Sequence, residues 1–383
     1  MPGAHTQAKP AKRRSLRIIG LVLCIVVVGG GVAFVMNGKS TGTTESAAPP
    51  VVAHETASTR PLNLVSITPA NGASGVASNA TVTVQLSEPL SANTPMPTLT
   101  PAVAGTWQQL SPTTLAFVAA APLVPSSTET VTVPAGLGGV ESAGGITLAE
   151  QATSHFTVAP GSTLRLQQLL AQQGYLPVGF TPAGPVVAPQ ELAQPQEGTF
   201  TWRFTEPDAL VSQWTAGSGN VITKAAVMSF ESKHDMESDG IAGPGVWGKL
   251  LADAAAGTVN ADSYNYVYVS KSLPQKATVY SNGAAVYSTP ANLGITGAET
   301  ASGTFPVFEH LKLTRMRGTN PDGTKYDDPD IPWVSYFNGG DALHGFVRSS
   351  YGYPQSVGCV ELPPANAAVV FPYTPVGTLV TVS

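Results

Sequence analysis

The longest apolar stretch of the chain is 18–36, and Lys12, Arg13, Arg14 and Arg17 stand directly before it. It is about 19 residues long, close to the roughly 20 that cross a bilayer as a helix. A basic flank stays on the cytoplasmic side. The pattern predicts a cytoplasmic tail over 1–17, a membrane anchor over 18–36 and the remaining chain outside the cytoplasm. No small-x-small site closes the run, as a cleaved signal peptide requires. Leu21-Val22-Leu23 precede Cys24 where a lipobox would place small residues. An uncleaved anchor is expected; cleavage or lipidation would export the rest all the same.

After the anchor, 37–60 has no apolar period and is rich in Gly, Ser, Thr, Ala and Pro. Such a segment reads as a flexible spacer spanning roughly 25 Å as a coil. Over 61–158 the period is two. Thr81-Val82-Thr83-Val84-Gln85-Leu86 alternates like a half-buried strand, and Val131-Thr132-Val133 and Phe156-Thr157-Val158 continue the pattern. Asn71-Gly72, Ser111-Pro112 and Gly138-Gly139 supply turns. A small β-sandwich is predicted.

Over 162–257 the period changes to that of helices. Leu166, Leu169 and Leu170 fall on one helical face, as do Ala226, Val227 and Phe230, and then Trp247, Leu250 and Leu251. Gly174 is placed to end the first helix and Pro244 to begin the third. These apolar positions are expected in a core. A Pro-rich stretch over 178–198 interrupts the three-helix pattern. From 262 to 383 strands return: Tyr264, Tyr266 and Tyr268 alternate, and Lys276 to Ser281 runs into an Asn282-Gly283 hairpin turn. Val307-Phe308-Glu309, the run from Trp333 to Phe337 and the run from Thr378 to Val382 complete a β-rich domain. The chain is thus expected to be mainly β with a small α module.

Composition narrows the function. Charged residues are only 11 % of the 383, and the net charge is −5 with no basic stripe beyond the N-terminus. Nucleic-acid binding, which needs clustered Lys and Arg, is not expected. The two cysteines are Cys24 and Cys359. With Cys24 in lipid they cannot meet, so the exported part carries one unpaired thiol.

That thiol has a suggestive setting. Ser356-Val357-Gly358-Cys359-Val360 follows Ala342-Leu343-His344-Gly345-Phe346, with 15 positions from the imidazole to the sulfur. A thiol is mostly protonated at neutral pH, and a neighbouring imidazole can take its proton. Gly358 lets the backbone approach a substrate, and the Gly358 and Cys359 amides are candidate oxyanion donors. A lone Cys or His is also commonly structural, and spacing alone leaves both readings open.

Family resemblances sharpen these readings. Thr68-Pro69-Ala70-Asn71-Gly72-Ala73 and the strand over 82–90 resemble the opening of bacterial Ig-like domains. Leu166-Gln167, Gly174-Tyr175-Leu176-Pro177 and Asp239-Gly240-Ile241-Ala242-Gly243-Pro244 resemble the peptidoglycan-binding domain found beside wall enzymes, which implies glycan affinity for 162–257. Residues 264–383 resemble the L,D-transpeptidase catalytic domain, a YkuD-type β-sandwich. His344-Gly345 and Ser356-Val357-Gly358-Cys359 stand at its signature, and Ala301-Ser302-Gly303-Thr304-Phe305-Pro306 resembles its Thr-Pro-x-Gly-x-Phe.

The resemblance implies that Cys359 attacks a stem peptide, releases D-alanine and forms a thioester. A second stem's amine then closes a 3→3 cross-link, with His344 as base and acid. Water as acceptor would make the enzyme an L,D-carboxypeptidase, another amine a different transferase, and loss of activity a wall-binding scaffold. Catalytic candidates are Cys359, His344, Gly358 through its backbone, and Ser356. Substrate-binding candidates are Gly345, Tyr336 and Arg348. Partners are stem peptides, glycan and the membrane. No cofactor or metal is expected, since Asp322, Asp327, Asp328 and Asp330 lack EF-hand spacing and read as a polar loop or lid. Glu361 departs from the family's Arg or Asn. It is expected to raise the thiol pKa, with Arg348 as compensating charge, unless it faces solvent. The sequence carries no signal of oligomeric state.

Overall fold

The computed structural model describes residues 60–383. The basic tail, the expected anchor, Cys24 and nearly all of the spacer lie outside the described residues. Among the described residues, no helix is long and apolar enough to cross a membrane.

The first domain is a two-sheet sandwich. Its strands are β1 (Leu64–Thr68), β2 (Ala73–Val76), β3 (Val82–Leu86), β4 (Thr98–Thr100), β5 (Gly105–Ser111), β6 (Thr114–Ala119), β7 (Thr128–Val133) and β8 (Ala152–Val158). One sheet runs β1-β3-β6-β5 and the other β2-β8-β7-β4. Alternation dictates the layers: Val82, Val84 and Leu86 of β3 turn inward onto Leu115, Val131, Val133 and Phe156.

The second module holds α1 (Thr163–Gln172), β9 (Val178–Pro182), β10 (Gly198–Trp202), the single turn α2 (Asp208–Val211), α3 (Val221–Lys233) and α4 (Pro244–Ala256). The ends follow local chemistry. Ser162 caps α1 by accepting from the Arg165 amide, and Asn220 caps α3 in the same way. Gly174, at φ +81°, lets the chain leave α1 in a left-handed turn. Pro244 opens α4. Leu169, Leu170, Phe230, Trp247 and Leu250 fill one core. The Pro-rich stretch is a structural element: β9 and β10 pair antiparallel, Val178 opposite Trp202 and Pro182 opposite Gly198.

The third domain contains β11 (Asn265–Ser270), β12 (Lys276–Ser281), β13 (Ala284–Pro290), β14 (Gly303–Pro306), β15 (Glu309–Thr319), β16 (Lys325–Asn338), β17 (Asp341–Gly345), β18 (Val360–Leu362), α5 (Pro364–Val370) and β19 (Leu379–Val382). Its sheets run β13-β12-β11-β19-β14 and β15-β16-β17-β18. Asn282 and Gly283, at φ +48° and +77°, form the expected tight turn of β12 and β13. Val307 and Phe308 lie between β14 and β15 rather than inside one strand.

The acidic quartet is not a loop. Asp322 sits in the turn of the β15–β16 hairpin, while Asp327, Asp328 and Asp330 lie on β16 itself. Pro329 and Pro332 fall within this strand, and the β15–β16 register slips near Thr314 and absorbs the irregularity. No cluster able to hold a metal ion occurs among the described residues.

The second and third units share interior. Tyr266 of β11 and Leu379 of β19 belong to the same buried cluster as Leu170, Phe230 and Trp247.

Candidate active site

His344 lies on β17 and Cys359 immediately before β18. The two strands pair in parallel, with Leu343 opposite Val360, His344 opposite Glu361 and Gly345 opposite Leu362. Successive side chains alternate between faces. Leu343, Val360 and Leu362 accordingly enter the core between the sheets, whereas Ala342 and Cys359 join a small cluster on the other face with Ile331, Met316 and Tyr336. His344 and Glu361 share that outer face. The ladder thus brings the imidazole and the thiol, fifteen positions apart in sequence, to one side of one sheet edge.

Two cavities meet at the sulfur. One, of about 470 Å³, is lined by Arg315, Arg317, Tyr326, Tyr336, Asp341 and Cys359, among others. The other, of about 270 Å³, contains His344, Arg348, Asp328, Tyr326, Glu361 and Cys359. Met316 and Val357 line both. The long β15–β16 hairpin, which supplies Arg315, Met316, Arg317 and Tyr326, forms the outer wall. These hairpin residues escaped sequence reasoning. The polar–apolar alternation Arg315-Met316-Arg317 was the available signal, but nothing in it says which sheet edge the hairpin covers.

The imidazole is 3 % exposed. Its Nδ1 lies 3.1 Å from the Gly345 carbonyl oxygen. A carbonyl only accepts, so Nδ1 carries the proton and Nε2 presents its lone pair. Burial lowers the pKa of His344 below its ordinary value, so the ring is neutral at pH 7. Cys359 is half-buried, and its Sγ lies 3.5 Å from the Gly340 carbonyl. Burial pushes the thiol up to about 12, and Asp341 and Glu361 add to the rise. Thiol and imidazole are both neutral at rest and line one cavity, the thiol directed at the Gly340 carbonyl and the imidazole at that of Gly345.

The turn before Cys359 is fixed from several sides. Ser356 is 1 % exposed, and its hydroxyl donates to the Cys359 carbonyl at 2.5 Å. Its own backbone is tied to Leu293 and Ile295. Gly358 adopts φ +113°, and a Cβ there would come within 2.6 Å of the Asp341 carboxylate. The glycine therefore answers a backbone requirement, in addition to any approach of substrate. Asp341 is held in turn by the Ala301 amide at 3.2 Å, which gives the 301–306 motif a structural role. Among the described residues no protein acceptor takes the amide hydrogens of Gly358 and Cys359.

The other candidates fall into place unevenly. Tyr336 lines the larger cavity and Arg348 the smaller. Gly345 lines neither; a Cβ there would press on Pro332 and Pro364, and its part is to accept from His344. Ser356 also lines neither and acts on the turn. Glu361 does not face solvent: it is 4 % exposed. It forms a two-pronged pair with Arg348, Nε to Oε2 at 2.9 Å and Nη2 to Oε1 at 2.7 Å. The Arg348 guanidinium also stacks over Phe346, 4.6 Å from the ring centre. The acid is thus neutralised locally, and Arg348 is already engaged.

Two family models match parts of the chain. Residues 264–382 match the family model of the L,D-transpeptidase catalytic domain, and residues 58–158 match that of a bacterial Ig-like domain. The first match indicates an acyltransferase-type enzyme. No curated protein matches the chain. Among solved structures, an L,D-transpeptidase from Mycobacterium smegmatis is 14 % identical, with 85 % of this chain and 100 % of that one covered at a TM-score of 0.29. L,D-transpeptidase 3 from Mycobacterium tuberculosis is likewise 14 % identical, covering 84 % and 98 % at 0.29. The catalytic domain of the E. faecium L,D-transpeptidase is 24 % identical, covering 32 % of this chain and all of that one at 0.29.

Proposed function

We propose that the chain is a membrane-tethered L,D-transpeptidase outside the cytoplasm, which joins peptidoglycan stem peptides into 3→3 cross-links through a thioester on Cys359. The observation that carries this reading is the common face shared by the Cys359 thiol and a His344 whose Nε2 is left free to act as a base.

With both groups neutral at rest, proton transfer accompanies attack. The S–H bond breaks toward His344 Nε2 as sulfur bonds to the carbonyl carbon of the third stem residue. The carbonyl electron pair moves onto oxygen, where the Gly358 and Cys359 amides donate. Collapse expels D-alanine, whose nitrogen takes the proton back from His344. The side-chain amine of a second stem then attacks the thioester, hands its proton to Nε2, and the thiol is regenerated. Two cavities that both reach the sulfur suit a reaction between two peptides. Arg315 and Arg317 share the single carboxylate of Asp327, and the positive charge left over suits a carboxylate of the donor. Asp328 suits the amine of the acceptor, which is cationic before it reacts. Water reaching the thioester instead would give carboxypeptidase products.

The helical module is assigned to holding wall glycan, the Ig-like sandwich to spacing, and 18–36 to anchoring. The test is incubation of the purified chain with tetrapeptide stems and intact-mass detection of an acyl adduct. Wild type is expected to carry it, and Cys359→Ala to lack it; an adduct that survives Cys359→Ala removes the nucleophile assigned here. His344→Ala should abolish turnover with the fold unchanged. The pH profile of kcat/KM should be flat through neutrality and fall on the acid side, below the ordinary histidine value, because protonation of Nε2 removes the base. A rise centred on an ordinary thiol pKa, about 8.5, would contradict the resting state described.

A further inference from the structure

Arg165, on α1, is 1 % exposed. A buried charge ordinarily has an opposite charge beside it. Here none is found: among the described residues no carboxylate forms an ion pair with it. Nε donates to the Leu192 carbonyl at 2.7 Å, and Nη1 to Gln168 Oε1 at a long 3.4 Å. Nη2 donates to no protein acceptor among the described residues. Burial alone accounts for the drop of its pKa to about 10, with no acid lifting it back.

The guanidinium does not end in packed hydrocarbon. It lines a cavity of about 280 Å³. That volume is near the lower end of small-molecule sites, about 300 Å³. The walls are largely apolar, from Pro182, Pro185, Val187, Leu192, Ala254 and Val259. Most come from the hairpin segment that interrupts the helical pattern, so the insertion builds the chamber around the charge. Gln168, itself 1 % exposed, fastens that segment through Gln196: its Nε2 donates to the Gln196 carbonyl at 2.6 Å, and its Oε1 accepts from the Gln196 amide at 2.9 Å.

A planar cation with unused donors, lining an open cleft with largely apolar walls, matches one ligand chemistry well. A carboxylate supplies the missing charge and accepts in the plane of the fork, and an aliphatic body fills the remaining space. We propose that this cavity is a carboxylate-binding site, with Arg165 as the pairing group and a short peptide end carrying a small apolar side chain as the ligand. The site is separate from Cys359 and stands whether or not the transpeptidase reading holds.

The test is the melting temperature of the full chain titrated with N-acetylalanine, N-acetylalanine amide and propionate, at matched ionic strength. Wild type should melt higher with N-acetylalanine in a saturable way, because a ligand of the native state stabilises it. The amide should need roughly tenfold more or have no effect, since it cannot supply the charge. Arg165→Met should show no ligand-dependent rise. Without ligand it should be at least as stable as wild type, because an uncompensated buried charge has gone. Should Arg165→Met fail to fold, Val187→Trp, which fills the chamber and keeps the guanidinium, should equally lose the rise. If propionate reproduces the effect, a free small anion is the ligand; if only N-acetylalanine does, it is a peptide end. No rise in wild type, an equal rise with the amide, or a rise that persists in Arg165→Met would each overturn the proposal.

Discussion

In the sandwich of β1–β8, the residues turned inward are Val84, Leu115, Val131 and Phe156, all nearly dry. The sandwich of β11–β19 has an equally dry interior, in Val267, Val279, Leu343 and Val360. Its second sheet carries more on the far side of that interior: His344 and Glu361, joined by Ser356 from the turn that precedes β18, are each under 5 % exposed, yet each makes a polar bond. The contrast lies in topology. β17 and β18 run parallel, and a parallel pair needs a crossover of a dozen or more residues. The stretch over 346–359 is that crossover. It returns the chain to the strand edge with Cys359 at the entrance, beside the imidazole it left behind. Fifteen positions between His344 and Cys359 are therefore the length of one return path. The Ig-like sandwich has one parallel pair, β2 with β8, but places no nucleophile at its mouth.

The sharpest way to break this contrast is Gly358→Ala. The backbone there is at φ +113°, and the new Cβ would lie 2.6 Å from Asp341 Oδ1. Displacing the turn moves both the sulfur and the two amides that the proposed mechanism uses. A fall in kcat/KM of about a hundredfold or more is expected with the overall fold retained, the scale reported for loss of an oxyanion donor. Unchanged kinetics would detach the turn from catalysis. The opposite outcome is expected for Leu115→Ala, which empties space in the Ig-like core. Its domain should lose about 3 kcal/mol by calorimetry, while kcat/KM stays the same. A parallel drop in activity would show that the two sandwiches are energetically coupled.

A smaller effect concerns Glu206, whose two carboxylate oxygens are buried without a hydrogen-bond partner among the described residues. Burial raises its pKa to about 7. Since the folded state holds the proton more tightly than the unfolded one, this group favours folding below about pH 4.5 and loses that contribution as pH rises through 7. Glu206→Gln should therefore stabilise the chain at pH 8 by on the order of 1–2 kcal/mol, and by little at pH 5. Equal effects at both values would mean that the carboxylate is not the titrating group.

Much of the site was legible from residues near each other in sequence. The His344-Gly345 and Ser356-x-Gly-Cys elements, and the Asn282-Gly283 turn, announce themselves through local chemistry. The compensation of Glu361 by Arg348 was also legible, whereas the burial of that pair depends on the β17–β18 register and was not. Glu361 read as a solvent-facing or disruptive charge for the same reason. The hairpin of β9 and β10 was hidden by its prolines, and so was the first half of β16 before the expected run from Trp333 to Phe337. Both strands tolerate these prolines only through pairings formed at a distance. Arg165 was legible only as one polar position beside an apolar helical face; its burial follows from the folded hairpin.

Tyr266 and Leu379 belong to strands of the third domain but are embedded among the helices of the second. Sliding one unit over the other would open a hydrocarbon interior to water, which is costly. The helical module therefore cannot swivel freely on a tether. Every point on its surface stands at a set reach and angle from Cys359.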